Sequence, residues 1–334
     1  MATKPPSTLD PSSPIIPMNL HSVDAYITSR CNRRCTYCFL PAEYFTSGLL
    51  MSMGTFFEVL KWARRHRLQE ITLLGGEPSL HPQFAELVSL ARQQHLEVRV
   101  VTNGAPAFRH ALTSNLIGAH NLARVAISLD SVTPEIQDHL RGRGAWRDAM
   151  DTLDLLRKHN ITFDINVTGV RSVIDGLDAL IDFSGQSGCR RLNIHWPSAM
   201  GLGSSMPPSE IPDKSTWQSL VGQIKARTET QGNFFIDIER SFLDDGEPLT
   251  TCAIRSFSNL QILPDGRAYR CGLLVDQPEM ASMTMAGGKL LMSAQDRGEE
   301  LMRSEIGRSC QACPVVDGNE RHTCITDRIT SRRT

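Results

Sequence analysis

Three cysteines, Cys31, Cys35 and Cys38, fall within eight residues of this 334-residue chain, in the run Cys31-Asn32-Arg33-Arg34-Cys35-Thr36-Tyr37-Cys38. Gaps of three and two residues let one short loop hold a single metal centre from three sides. Three thiolates satisfy three irons of a cubic iron–sulfur cluster and leave the fourth open to a small molecule, so the spacing speaks for catalysis as well as electron storage. Tetrahedral zinc is the competing reading; it needs a fourth ligand and commonly takes its ligands as two separated pairs. Gly75-Gly76-Glu77-Pro78 is the next candidate. Its glycines permit close backbone approach, and Glu77 beside exposed backbone groups can accept an ammonium. An ordinary strand-to-helix turn has the same composition.

A second cysteine set is Cys252, Cys271, Cys310 and Cys313. Gly266, between the first two, permits a hairpin reversal that brings their thiolates together. Cys310-Gln311-Ala312-Cys313 supplies a compact pair. Four thiolates close a cubic cluster completely, which suits electron transfer, and they also close a structural zinc site. Two of the nine cysteines remain: Cys189 reads as packed beside a strand, and Cys324 as a thiol near the C-terminus.

These residues need a scaffold, and a strand–helix rhythm supplies one. Strands are predicted at 23–28, 70–74, 97–101, 124–129, 161–168 and 190–195, with helices at 53–66, 82–94, 107–117, 145–158 and 172–185. Six such units imply a parallel sheet in an α/β fold, a partial (β/α)6 TIM barrel, with ligand loops gathered at the strand C-terminal ends. The cysteine loop, the Gly75 turn, Thr102-Asn103-Gly104, Ser128-Leu129-Asp130 and His195 all fall at those ends. His195 reads equally as a hydrogen-bonded structural histidine and as an acid–base or substrate contact.

The expected organisation is a flexible leader over 1–20, which holds five prolines, then the partial barrel over 21–196. A linker with bridging elements over 197–240 follows, including a helix at 215–227 and a strand at 234–237. A small C-terminal α+β subdomain with its tail occupies 241–334. It begins its regular structure with a hairpin over 260–269, and the Met-rich segment 281–303 is expected to be helical in part.

Composition narrows the functional classes. Lys and Arg number 35 against 36 Asp and Glu, so no global basic field argues for nucleic acid. Arg33, Arg34, Arg64, Arg65 and Arg67 are assigned to loop and helix surfaces. No apolar run reaches the roughly 18 residues of a membrane span, and the N-terminus lacks a signal peptide's hydrophobic segment, so a cytoplasmic location is expected. In that compartment cysteines read as metal ligands before disulfides.

In combination, the three-cysteine loop, Tyr37 before its last cysteine, and Gly75-Gly76-Glu77-Pro78 resemble the radical S-adenosylmethionine superfamily over roughly residues 22–196. The resemblance implies a [4Fe-4S] cluster on Cys31, Cys35 and Cys38 whose open iron chelates S-adenosylmethionine. One-electron cleavage then yields a 5′-deoxyadenosyl radical that abstracts a substrate hydrogen. It implies donor contacts from Tyr37 and from Gly75, Gly76, Glu77 and Pro78, which place the methionine amino group. Ser128, Asp130, Asn166 and Arg141 are further cofactor-binding candidates, Arg141 as a bidentate partner for a carboxylate. Residues 252–313 resemble the shorter, twitch form of the SPASM-like extension, implying one auxiliary [4Fe-4S] cluster on Cys252, Cys271, Cys310 and Cys313. Cys324 and His195 are the candidate catalytic residues, Cys324 as a hydrogen donor or substitute cluster ligand.

The resemblance points first to oxidative modification or cross-linking of a ribosomally synthesised peptide. The alternatives are dehydrogenation or epimerisation of a small natural product such as an aminosugar, and a non-catalytic iron–sulfur or zinc module. An external reductant such as flavodoxin or ferredoxin is implied. With only about twenty residues ahead of the first strand, no winged-helix leader-binding domain is expected, and a separate leader-binding protein would substitute.

Overall fold

The structure is a computed structural model that describes residues 20–228, 234–239, 259–275 and 278–292. Among the described residues, seven parallel strands pair in chain order: β1 (Ser22–Thr28), β2 (Glu70–Gly75), β3 (Glu97–Thr102), β4 (Arg124–Ser128), β5 (Phe163–Thr168), β6 (Arg191–His195) and β7 (Phe235–Ile238). The helices are α1 (Ala42–Thr46), α2 (Met53–Arg65), α3 (Phe84–Gln93), α4 (Pro106–Thr113), α5 (Pro134–Arg141), α6 (Ala145–Lys158), α7 (Arg171–Ile174), α8 (Leu177–Ser187) and α9 (Lys214–Thr228). They return the chain between parallel strands, as crossovers in one sheet require. This is the α/β partial barrel that the strand–helix rhythm predicts.

Alternation within the strands separates two environments. Val23, Ala25 and Ile27 of β1, Ile71 and Leu73 of β2, and Val125 and Ile127 of β4 are buried in one core with Phe56, Val59 and Leu60 of α2 and Leu153 and Leu156 of α6. Their polar neighbours lie on the opposite face of the sheet. Around the strand N-terminal ends charges close on one another: Arg124 pairs with Glu70 and Asp164, Arg190 with Asp164, and Arg191 with Asp237. The strand C-terminal ends carry the loops instead.

One local device recurs where helices hand over to strands. Arg67, His95, Asn115 and Asn160 each adopt positive φ just after α2, α3, α4 and α6. In three of these turns the next residue is buried and its N–H bonds back to the helix: Leu68 to Ala63, Leu96 to Ala91 and Ile161 to Leu156. The left-handed residue ends the helix while the buried one fixes where the following strand begins.

Beyond β7 the sheet grows on its other edge. Strand β8 (Gln261–Ile262) runs parallel to β1, and β9 (Ala268–Tyr269), β10 (Met283–Ala286) and β11 (Lys289–Met292) follow antiparallel. The predicted hairpin over 260–269 forms through the turn at Pro264-Asp265-Gly266, with the Gly266 N–H on the Leu263 carbonyl. The expectation of helix in 281–303 is corrected for its described part. Gly287 and Gly288 both take positive φ, which makes a two-residue reversal between Ala286 and Lys289. The short helices α1 and α5, the latter opened by Pro134, escaped the rhythm, and the strand expected at 234–237 forms as β7 but joins the sheet as a seventh parallel strand rather than bridging from it.

Helix α9 seals the β6–β7 end. Trp217 is fully buried, meets Trp196 edge-on at 4.9 Å, and donates its indole N–H to the Glu239 carbonyl at 2.8 Å. Its ring fills the space beside Gly169, where an added Cβ would stand 2.7 Å away. Truncating a buried tryptophan costs about 3–5 kcal/mol. Trp217→Ala should therefore lower the unfolding midpoint in urea, followed by far-ultraviolet circular dichroism, whereas Trp217→Phe should recover part of the loss.

Candidate functional site

The turn after β2 is bonded directly to the chain leaving β1. Gly76 N–H donates to the Thr28 carbonyl and Glu77 N–H to the Arg30 carbonyl, each at 2.8 Å, so the glycine turn lies against the first residues of the cysteine loop. An added Cβ at Gly75 would stand 2.2 Å from Thr28 O, and one at Gly76 would stand 2.3 Å from Arg30 O. Only glycine fits both places. The two motifs thus meet as one surface at the C-terminal ends of β1 and β2.

Glu77 is fully buried, and its carboxylate is turned to the protein's own donors. Oε1 accepts from Ser79 Oγ at 2.7 Å and Thr102 Oγ1 at 2.8 Å, and Oε2 from Asn103 N–H at 2.8 Å. Burial pushes its acidity down and its pKa up, while these donors pull the other way. In this arrangement Glu77 locks the turn to the end of β3.

The far side of the cysteine loop is held by a buried polar knot. Tyr37 donates its hydroxyl to Asp130 Oδ2. Arg141 meets the same carboxylate bidentately, at 2.6 and 3.0 Å, with its guanidinium 5.3 Å from the Tyr37 ring centre. Thr168 N–H at the end of β5 also donates to Asp130, at 2.9 Å. Gln137 on α5 accepts the Asp130 N–H at 2.8 Å. The carboxylate that Arg141 grips is therefore one within the chain. Burial and its anionic neighbours act in opposite senses on Arg141, and the net direction is upward, so it stays charged.

Arg33 corrects the surface assignment made from sequence. Its side chain is 9% exposed, pairs with Asp148 of α6, and donates to the Gly142 carbonyl at 3.1 Å. A guanidinium that joins a loop to two distant helices cannot be told from a solvated one by its neighbours in sequence.

The three thiols are reduced and half-buried. Burial pushes Cys31 up to about 12 and Cys38 up to about 11, and raises Cys35 as well. Such thiols ionise only with positive charge beside them. Arg141 and Arg33 act in that direction on Cys35, and Arg34 with Arg141 on Cys38. The Cys31 sulfur also accepts the Arg33 N–H at 3.4 Å. Among the described residues no three Cys, His, Asp or Glu groups converge tightly enough for one metal ion. Three sulfurs on one loop, set among N–H donors and guanidinium groups, fit an anionic iron–sulfur cluster by their donor chemistry.

The remaining candidates line the sheet interior. Ser128, Asn166, Asn193 and Asp237 share one register row across β4 to β7. Asn193 Nδ2 donates to Asn166 Oδ1 at 2.8 Å. The row's last two members, Asn193 and Asp237, were not singled out in sequence, although period-two alternation back from His195 along β6 could have suggested Asn193. His195 Nδ1 lies 2.7 Å from Glu239 Oε1, whose other oxygen accepts Trp196 N–H. Cys189 is buried, as expected. Cys271 is buried in a second apolar cluster with Tyr26 and Tyr269, against which Cys31 and Cys38 also pack. Cys252, Cys310, Cys313 and Cys324 lie outside the described residues, as does the leader apart from Leu20.

Residues 25–183 match the Radical SAM superfamily. This stretch is a radical SAM domain. Proteins of this superfamily work with a [4Fe-4S] cluster and S-adenosylmethionine. PqqA peptide cyclase of Ruegeria pomeroyi is 24% identical over 254 residues, 74% of this chain and 66% of that protein. Mycofactocin maturase MftC of Mycolicibacterium smegmatis is 27% identical over 299 residues, 87% of this chain and 74% of its own. GTP 3',8-cyclase of Synechocystis is 27% identical over 172 residues, 48% of this chain and 52% of its length. The chain thus spans between about half and three quarters of these relatives. The crystal structure of Streptococcus suis SuiB bound to precursor peptide SuiA shares the fold, with a TM-score of 0.61, 15% identity, and coverage of 89% of this chain and 70% of that one. No helix among the described residues is long and apolar enough to cross a membrane.

The knot in this radical SAM domain has a measurable consequence. Removing one member of a buried ion pair strands the other, at a cost of about 3–5 kcal/mol. Arg141→Met should lower stability by that order in chemical denaturation of the cluster-free chain. The double variant Asp130→Asn with Arg141→Met should be less destabilised than Arg141→Met alone.

Proposed function

We propose that this chain is a radical S-adenosylmethionine enzyme that oxidatively modifies or cross-links a ribosomally synthesised peptide. The observation that carries the reading is the contact between the two motifs: the Gly75–Pro78 turn is hydrogen-bonded to the chain that enters the cysteine loop. Cys31, Cys35 and Cys38 would hold the [4Fe-4S] cluster, and Gly75, Gly76, Glu77 and Pro78 would form the seat for the methionine end of the donor. When bound, the cluster and S-adenosylmethionine supply the 5′-deoxyadenosyl radical that takes a hydrogen atom from the substrate.

The chain's own groups do the positioning. Glu77 holds the turn, and Asp130 and Arg141 hold Tyr37 against the cysteine loop. Ser128 and Asn166 offer polar groups to the rest of the donor from the interior row. His195, oriented by Glu239, stands at the end of β6 as a substrate contact. Cys271, with Cys252, Cys310 and Cys313, is assigned to one auxiliary [4Fe-4S] cluster, which would take up the electron that oxidation releases. Cys324 is kept as a hydrogen donor or substitute ligand. A flavodoxin- or ferredoxin-type reductant would deliver the first electron, and a separate leader-binding protein would present the precursor.

The peptide reading draws on the names of the relatives: a peptide cyclase, a maturase, and a fold neighbour solved with a precursor peptide. GTP 3',8-cyclase among them supports a second reading, chemistry on a small molecule, with dehydrogenation or epimerisation as its outcome. After anaerobic reconstitution with iron and sulfide, the chain should produce 5′-deoxyadenosine from S-adenosylmethionine and dithionite. Cys31→Ala should bring that production to background; undiminished production would refute the assignment. Cys271→Ala should remove about one cubic cluster's worth of iron, four atoms per chain. Tight binding of a precursor peptide encoded nearby separates the two substrate classes, since a small-molecule enzyme turns over without it.

A further inference from the structure

Asn103, the first residue beyond β3, touches both motifs at once. Its side-chain Nδ2 lies 3.8 Å from the Cys31 sulfur and 2.9 Å from Asn32 Oδ1, while its backbone N–H is on Glu77 Oε2 at 2.8 Å. We propose that Asn103 is a positioning residue that raises the reduction potential of the cluster at Cys31, Cys35 and Cys38 by donating a hydrogen bond to the Cys31 sulfur. This rests on the cluster assignment made above.

The amide is fixed in place from both sides. Gly104 follows it with φ +79°, and an added Cβ there would stand 2.7 Å from the Asp148 carbonyl oxygen. The Gly104 carbonyl accepts from Arg109 Nη1 at 2.6 Å and from Thr152 Oγ1 at 3.1 Å, both on the surrounding helices. Asp148 in turn pairs with Arg109 and with Arg33 of the cysteine loop. The turn that carries Asn103 and the loop that carries Cys31 are therefore clamped by the same carboxylate.

The amide's orientation follows from its neighbours. A thiolate that ligates metal only accepts, so turning the amide over would set oxygen against the Cys31 sulfur, which lies beside Asn32 Oδ1. With nitrogen toward them, both N–H groups are used. A hydrogen bond to a cluster sulfur favours the reduced form, which carries one more negative charge on the same atoms, and so raises the potential. Among the described residues the other donor on Cys31 is the Arg33 backbone N–H, which no substitution short of proline removes. Asn103 is thus the donor on this sulfur that a side-chain change can test.

The experiment is a redox titration of the reconstituted full-length protein by electron paramagnetic resonance. The relevant signal is the one that changes when S-adenosylmethionine is added, which separates it from any auxiliary cluster. Asn103→Leu removes the donor at similar volume, and Asn103→Asp removes it while adding an acceptor. Both should keep the cluster, by iron content and absorbance. At a fixed poise the ratio of reduced to oxidised cluster in Asn103→Leu should fall roughly threefold to tenfold, the range set by one net hydrogen bond, and further in Asn103→Asp. Titration of both variants together with the wild type would overturn the proposal. Loss of the cluster from both would also overturn it, because Asn103 would then be part of the scaffold. A Cys31→Ala protein that kept the S-adenosylmethionine-responsive signal would instead sink the ligand assignment, so the two failures read differently.

Discussion

Two backbone hydrogen bonds, from Gly76 and Glu77 to the carbonyls of Thr28 and Arg30, are the constraint on which the site depends. They require the turn after β2 to pass within contact distance of the chain leaving β1, closer than any side chain at 75 or 76 allows. Parallel neighbours make this possible, since both strands end at the same level and their loops emerge side by side. The cysteine loop consequently takes its shape from the turn beside it as well as from its own residues.

On its other flank the loop is held by charge. Tyr37, Asp130 and Arg141 bring together the cysteine loop, β4 and α5, and Thr168 adds β5 through a backbone N–H. Arg33 does the same with α6. A buried carboxylate shared by a hydroxyl, a guanidinium and a peptide N–H leaves few alternative arrangements, because any lost partner leaves a polar group unsatisfied. The residues around the cysteines thus form a rigid frame and also set the charge that any metal group would meet.

Much of the barrel was legible because its strands alternate and its helices have continuous apolar stripes. Helices α2, α3 and α6 and strands β1 to β6 follow such patterns. Helix α5 did not, being short and opened by a proline, and its importance lies in Gln137 and Arg141, which read as ordinary polar residues. The Met-rich segment carried apolar residues suited to a helix, but two consecutive glycines in the left-handed region turned it into a hairpin. In each case the deciding signal was local turn chemistry rather than hydrophobic period.

The sequence by itself determined the chemistry on offer: three thiols on one loop, a glycine turn at a strand end, and a parallel α/β frame to carry them. These follow from spacing and periodicity, which are properties of neighbours along the chain. Only the tertiary structure decided what those groups face. It turned the Glu77 carboxylate inward to Thr102 and Asn103, gave Arg141 to Asp130, buried Arg33 against Asp148, and aligned Asn193 and Asp237 with Asn166. Those pairings join residues tens of positions apart, and their energies depend on burial, which no local pattern of residue types encodes.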